Sequence, residues 1–180
     1  MKSVLVLFAE GSEELEAVTI VNILRRAGVA VTLAGLHKGP LSGARNIAIL
    51  PDASIEEVLH RDFDMVVLPG GQPGTDHLKT DPRVMALLKR MAQAGKLIGA
   101  ICAAPTVLAE AGLLSGRQAT CYPGYLKDDP TVNLKSSAVV EDGQIITSRG
   151  PGTAMDFALH LAERLVGPEV RLRVEASLVR

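Results

Sequence analysis

At 180 residues, 47% of them apolar and 22% charged, the chain has the bulk of one globular domain spanning residues 1–180 and is too apolar to be disordered. Its 19 basic and 20 acidic side chains leave a formal charge of -1, which gives no electrostatic case for a nucleic-acid surface or an anionic membrane. No apolar run approaches the roughly 20 residues of a membrane span, and two cysteines 19 positions apart, with neither CxxC nor zinc-ligand spacing, point to free thiols in a reducing cytoplasm and to no metal site.

Taken in chain order, residues 4–9 (Val-Leu-Val-Leu-Phe-Ala) form a continuous apolar run, the mark of a strand covered on both faces. The run meets Glu10, Glu13 and Glu14 too soon for a signal peptide. After the Gly11-Ser12 turn, a helical pattern covers 13–27 and stops at Gly28. A second strand follows over 29–34, a short third one over 47–50, and a short helix over 54–59. Residues 65–68 are another buried strand, ending in Pro69-Gly70-Gly71. A helix over 82–94 has Pro82 in its first turn and Gly95 behind it. The strand at 97–101 stops at Cys102, and a helix over 104–114 succeeds it.

Strands alternating with helices predict an α/β fold with a mainly parallel sheet. The later part differs: 138–140 and 145–147 flank Glu141-Asp142-Gly143-Gln144 as a hairpin. A rigid loop, Arg149-Gly150-Pro151-Gly152, leads to a helix over 153–166 closed by Gly167-Pro168. There is no internal repeat or linker. In open α/β sheets, sites lie beyond the carboxyl ends of the strands. Segments 10–16, 69–73 and 102–105 all fall there.

Cys102 sits between a strand and a helix. Unpaired amides and the positive end of a helix dipole would favour its thiolate and lower its pKa, and the same amides could hold an oxyanion. A buried structural cysteine is the alternative. Glu16 lies on the apolar stripe Ile20, Ile23, Leu24, Ala27 of the first helix, whereas Glu14 and Arg25 fall on its exposed face. A carboxylate on a core face needs a partner or a proton; the alternative is a frayed first turn. Glu13 reads as a dipole and capping residue. Gly70 and Gly71 let the backbone approach a ligand or simply make a tight turn. His37, His60 and His77 lie in polar, loop-like surroundings, His160 reads as a solvated surface residue, and Cys121 reads as a packed strand residue. No histidine pairs with Cys102 from sequence.

Together, Ala9-Glu10-Gly11-Ser12-Glu13-Glu14-Leu15-Glu16, Arg25-Arg26-Ala27-Gly28, Val67-Leu68-Pro69-Gly70-Gly71, Ala100-Ile101-Cys102-Ala103-Ala104-Pro105 and Thr147-Ser148-Arg149-Gly150-Pro151-Gly152-Thr153 resemble the ThiJ/PfpI superfamily, in its protein-deglycase branch. The resemblance spans nearly the whole chain. It implies a flavodoxin-like three-layer sandwich, a homodimer, and cofactor-free chemistry. It further implies that Cys102 is a nucleophile on a strained elbow and that Glu16 is a protonated glutamate against its sulfur. Gly70, Gly71 and Ala103 then belong to an oxyanion and substrate-binding set with Arg45, an arginine reaching the site from the partner subunit, and Tyr122.

The implied activity is conversion of methylglyoxal or glyoxal to a hydroxy acid, or removal of early adducts from glycated proteins or nucleotides. The alternative is a redox-sensing stress protein or chaperone working through oxidation of Cys102. Two positions depart from relatives. Tyr122 stands where some members carry histidine, and a phenol is a poor base at neutral pH. Ala103 follows the cysteine where the peptidase branch has histidine, which speaks against proteolysis. No His-Pro-Glu signature accompanies His160, which speaks against a glutamine amidotransferase.

Overall fold

A computed structural model describes all residues, 1–180. Its centre is a seven-stranded sheet built from β1 (Ser3–Phe8), β2 (Ala30–Gly35), β5 (Ala53–Ser54), β6 (Met65–Leu68), β7 (Leu97–Ile101), β10 (Val139–Asp142) and β11 (Ile145–Ser148). The spatial order is β10-β11-β7-β6-β1-β2-β5, parallel throughout except for the β10–β11 hairpin at one edge.

The apolar run of β1 is explained by coverage on both faces. Val4, Val6 and Phe8 point into one core with helices α1 (Glu14–Arg26), α6 (Ala154–Val166) and α7 (Pro168–Ser177). Leu5 and Leu7 point into a second core with α2 (Ile55–Val58), α3 (Gly74–Thr80), α4 (Pro82–Gln93) and α5 (Pro105–Glu110). Strands alternate side chains between faces, so no residue of β6 is left exposed. Burying each Val, Leu, Ile or Phe of these two cores contributes about 1.5–3 kcal/mol. No helix is long and apolar enough to cross a membrane.

Several elements differ from the sequence pattern. The expected third strand over 47–50 contributes only β4 (Ala48–Ile49), which pairs antiparallel with β3 (Leu41–Ser42) outside the main sheet. Its flanks Ile47 and Leu50 are exposed, so their apolarity is not a core signal. The helix expected over 104–114 ends at Glu110, where the chain turns through Gly112 at φ 75. Helices α3 and α7 were not expected. The first buries only Gly74, Thr75 and Leu78, and the second only Val174, so neither carries a full apolar stripe. A two-stranded pair of β8 (Gln118–Ala119) and β9 (Asn133–Leu134) completes the structure. Cys121 follows β8 rather than lying in a strand.

Candidate active site

The ends of β1, β6 and β7 bring the three expected segments together. Beyond β7 the chain enters Cys102 with φ 64, a left-handed conformation that an L-residue adopts at a cost of roughly 1–2 kcal/mol. Backbone bonds hold it there. The Cys102 amide donates to the Ser148 carbonyl at 3.0 Å, and the Cys102 carbonyl accepts from the Tyr122 amide at 2.8 Å. The elbow therefore leans on β11 and on the 120–125 segment.

The Pro69-Gly70-Gly71 turn exists because nothing larger fits. A Cβ on Gly70 would stand 2.6 Å from Cys102 Cβ, and one on Gly71, where φ is 85, would stand 2.3 Å from the Glu13 nitrogen. This close approach delivers two amides to the site. The Gly71 and Ala103 N–H groups lie on the Cys102 sulfur's side and favour its thiolate. The Gly70 amide, expected in the oxyanion pocket, is committed elsewhere: it donates to Glu16 Oε2 at 2.7 Å.

Glu16 is completely buried. Its Oε1 finds no hydrogen-bond partner, and its carboxyl lies beside the Cys102 side chain, which lowers its pKa. Burial raises its pKa to about 7, against the lowering effects of the Gly70 amide and the Cys102 contact, with the nearby Glu13 charge adding to the rise. A frayed first turn is therefore excluded.

The thiol runs against the expectation from helix position. Burial pushes Cys102 up to about 12, the Glu16 charge is the second cause, and the Gly71 and Ala103 amides oppose both. Helix α5 is only six residues long and starts three residues downstream, so its dipole brings little. The two groups form one titrating pair. Glu16 gives up its proton near pH 7, while the sulfur holds its own up to about 12. When the proton passes from sulfur to Glu16, the repulsion vanishes and the thiolate is left with the two amides and the carboxylic acid around it.

Above the pair opens a pocket of about 250 Å³, lined by Glu13, Arg45, Gly71, Cys102, Tyr122 and Tyr125 among others. Arg45 lines this pocket within its own chain. It gets there because Glu14 is not on an exposed face. Glu14 is buried, and its Oε1 accepts from the Arg45 amide at 2.9 Å and the Ile47 amide at 3.3 Å, which folds the 43–47 loop over the start of α1. Tyr122 is 46% exposed and stands edge-on to Tyr125 at the rim. Glu13 makes no side-chain capping bond, contrary to its expected role, and forms part of the pocket wall.

The remaining candidates stay apart. The Cys121 thiol donates to the Tyr125 carbonyl at 3.0 Å, and burial pushes it up to about 11. His160 is not free in solvent but bonded to Glu141 at 2.6 Å. His77 belongs to α3, with its Nδ1 2.9 Å from the Glu10 carbonyl. None of the four histidines lines the Cys102 pocket. Glu13 and Tyr125 were missed as pocket residues; the first had a signal in its place two residues beyond the Gly11 turn, the second had none.

Residues 2–164 match the model of the DJ-1/PfpI family. The chain is 47% identical to Protein dj-1beta of Drosophila melanogaster over 99% of this chain and 97% of the fly protein. It is 40% identical to the glutathione-independent glyoxalase DJR-1.2 of Caenorhabditis elegans, over 93% of this chain and 91% of that protein. The crystal structure of Drosophila DJ-1beta superposes with a TM-score of 0.95 at 45% identity, covering 99% of this chain and 97% of that one.

Proposed function

The chain belongs to the DJ-1/PfpI family, and on that footing we propose that it is a cofactor-independent cysteine enzyme acting on reactive carbonyls, with Cys102 as nucleophile and Glu16 as general acid–base. It converts methylglyoxal or glyoxal to the hydroxy acid and removes early glycation adducts. The observation that carries this reading is the completely buried Glu16 carboxyl against Cys102, with a pKa raised to about 7, where a group can both give and take a proton at neutral pH. A relative at 40% identity named as a glutathione-independent glyoxalase supports the same reading.

The steps follow from the groups present. The Cys102 thiolate adds to the aldehyde carbon of methylglyoxal, and the carbonyl oxygen takes the Glu16 proton to give a hemithioacetal. Glu16, now the carboxylate, removes the proton from that carbon; the electrons move to the ketone oxygen, giving an enediolate. The hydroxyl proton passes from the first oxygen to the second, and Glu16 returns its proton to the second carbon, leaving a lactoyl thioester on Cys102. Water cleaves the thioester, releasing lactate and the free thiol, so the sum is methylglyoxal plus water. Negative charge on oxygen develops beside Cys102, within reach of the Gly71 and Ala103 amides. On a glycated amine or thiol, the Cys102 thiolate takes the adduct carbon as the C–N or C–S bond to the protein breaks and the departing amine or thiol takes the Glu16 proton; the same hemithioacetal and later steps follow.

A homodimer is part of the proposal. Leu15 and Val18 on the outer side of α1 and Ile47 and Leu50 beside β4 are exposed apolar side chains, brought near one another where Glu14 binds the Ile47 amide. A second copy of the chain is the occupant this patch suits. The two free thiols favour a cytoplasmic setting. The test is steady-state methylglyoxal turnover with lactate as the measured product. Wild type should complete many cycles per subunit and Cys102→Ala none; a single oxidation event per cysteine without lactate would favour a redox sensor.

A further inference from the structure

Three carboxylates cluster at the start of α1, and two have backbone donors. Glu14 takes the Arg45 and Ile47 amides, and Glu16 takes the Gly70 amide. Glu13 is only 8% exposed, and its side chain makes no hydrogen bond to the helix amides that it caps in sequence. It forms no ion pair either. Its main chain is fixed on both sides: its N–H donates to the Gly70 carbonyl at 2.8 Å, and its carbonyl accepts from Ala17 at 3.1 Å. The Gly71 backbone packs directly on it. The residue thus stands on the wall of the Cys102 pocket. Its carboxyl oxygens, unlike Glu14 Oε2 and Glu16 Oε1, are not sealed from solvent, so the charge is open to a solute in that pocket. Within the chain Arg45 does not pair with it; its guanidinium donates to the Ala44 carbonyl at 3.3 Å, and the residue is exposed.

We propose that Glu13 is a specificity-determining residue, whose carboxylate binds a positive charge on the substrate and so favours carbonyl adducts formed on a nitrogen that stays cationic. The proposal rests on the carbonyl-adduct reading of Cys102 and Glu16 and names the substrate class for it. An α-oxoaldehyde adduct on a guanidinium keeps its charge, and the carbinolamine formed on an amine can be protonated; adducts on a thiol carry no charge at the bonded atom. A pocket of about 250 Å³ admits the head of such a side chain. The Glu13 charge then sits beside the reacting carbon, where a free aldehyde would leave it unmatched.

The test uses methylglyoxal hemithioacetals that share a size and differ in charge, formed with (2-mercaptoethyl)trimethylammonium, 2-methoxyethanethiol and 3-mercaptopropionate, each in thiol excess. Wild type should show kcat/KM for the cationic adduct about tenfold or more above the anionic one, the scale of one partly solvated charge pair. Glu13→Gln should bring the ratio to within about twofold, and Glu13→Asp should keep most of it. Labelling of Cys102 by cationic and anionic methanethiosulfonates, which needs no turnover, should lose its cationic preference in step. Equal rates for all three adducts in wild type, or a preference that survives in Glu13→Gln, would overturn the proposal. If wild type turns over no carbonyl compound, the reading of the site fails, and the labelling ratio decides Glu13: a preference lost in Glu13→Gln upholds charge binding, and an unchanged one overturns it.

Discussion

Glu16 accepts from the Gly70 amide with one carboxyl oxygen at 2.7 Å and leaves the other buried and unpartnered beside Cys102. One face of the carboxyl is thus anchored and the other is free to exchange a proton with sulfur. The anchoring amide favours the anion, yet burial outweighs it, and the pKa rises from an ordinary 4.5 to about 7.

That rise has a consequence for stability. A carboxyl whose pKa is higher in the folded than in the unfolded chain binds a proton on folding. Its contribution is fully present below about pH 4.5 and is lost as pH rises through about 7. The full loss is of order 3 kcal/mol. Glu16→Leu removes the titrating group and suits the apolar stripe of α1. Urea unfolding at pH 4.5 and pH 8 should therefore show the variant gaining on wild type at the higher pH. Parallel behaviour of the two proteins would mean that Glu16 titrates normally.

Cys102 should label ahead of Cys121, although burial raises both thiols. The difference lies in what each sulfur faces after ionising. Cys102 meets the Gly71 and Ala103 amides and opens on a pocket. Cys121 points at the Tyr125 carbonyl, whose oxygen repels a thiolate. Mass-mapped alkylation at limiting reagent reads this directly, and preferential modification of Cys121 would contradict it.

Tyr122 should be dispensable as a base. It stands at the exposed rim and closes the pocket with its ring, edge-on to Tyr125. Tyr122→Phe keeps the ring, so kcat/KM for methylglyoxal should fall by less than about tenfold, or about 1.4 kcal/mol. A loss of several orders of magnitude in a folded variant would assign the hydroxyl to the chemistry.

Much of this arrangement is legible in the sequence because the strands of the central sheet are buried on both faces. Continuous runs such as 4–8 and 65–68 have no other reading, and Glu16 stands out because it breaks an apolar stripe. Glu14 is the instructive failure. Periodicity puts it on the outer face of α1, and it is buried because a loop thirty residues later folds over it. A tertiary contact of this kind leaves no trace in helical spacing. Helix α7 was invisible for a related reason, since it packs on α6 with Val174 as its one buried residue. The Cys102 pKa was misjudged by counting the helix amides and not the desolvation that accompanies an elbow.

The most direct test of the central claim is lactate formation from methylglyoxal by Glu16→Gln, with Cys102 alkylation followed in the same preparation. The amide keeps the shape and a donor toward sulfur but cannot exchange the proton. Turnover should fall at least ~100-fold, the scale of losing a general acid–base, while the protein folds and Cys102 still alkylates. Lactate production at the wild-type rate would contradict the proton-transfer role of Glu16 and leave Cys102 as a sensor rather than a catalyst.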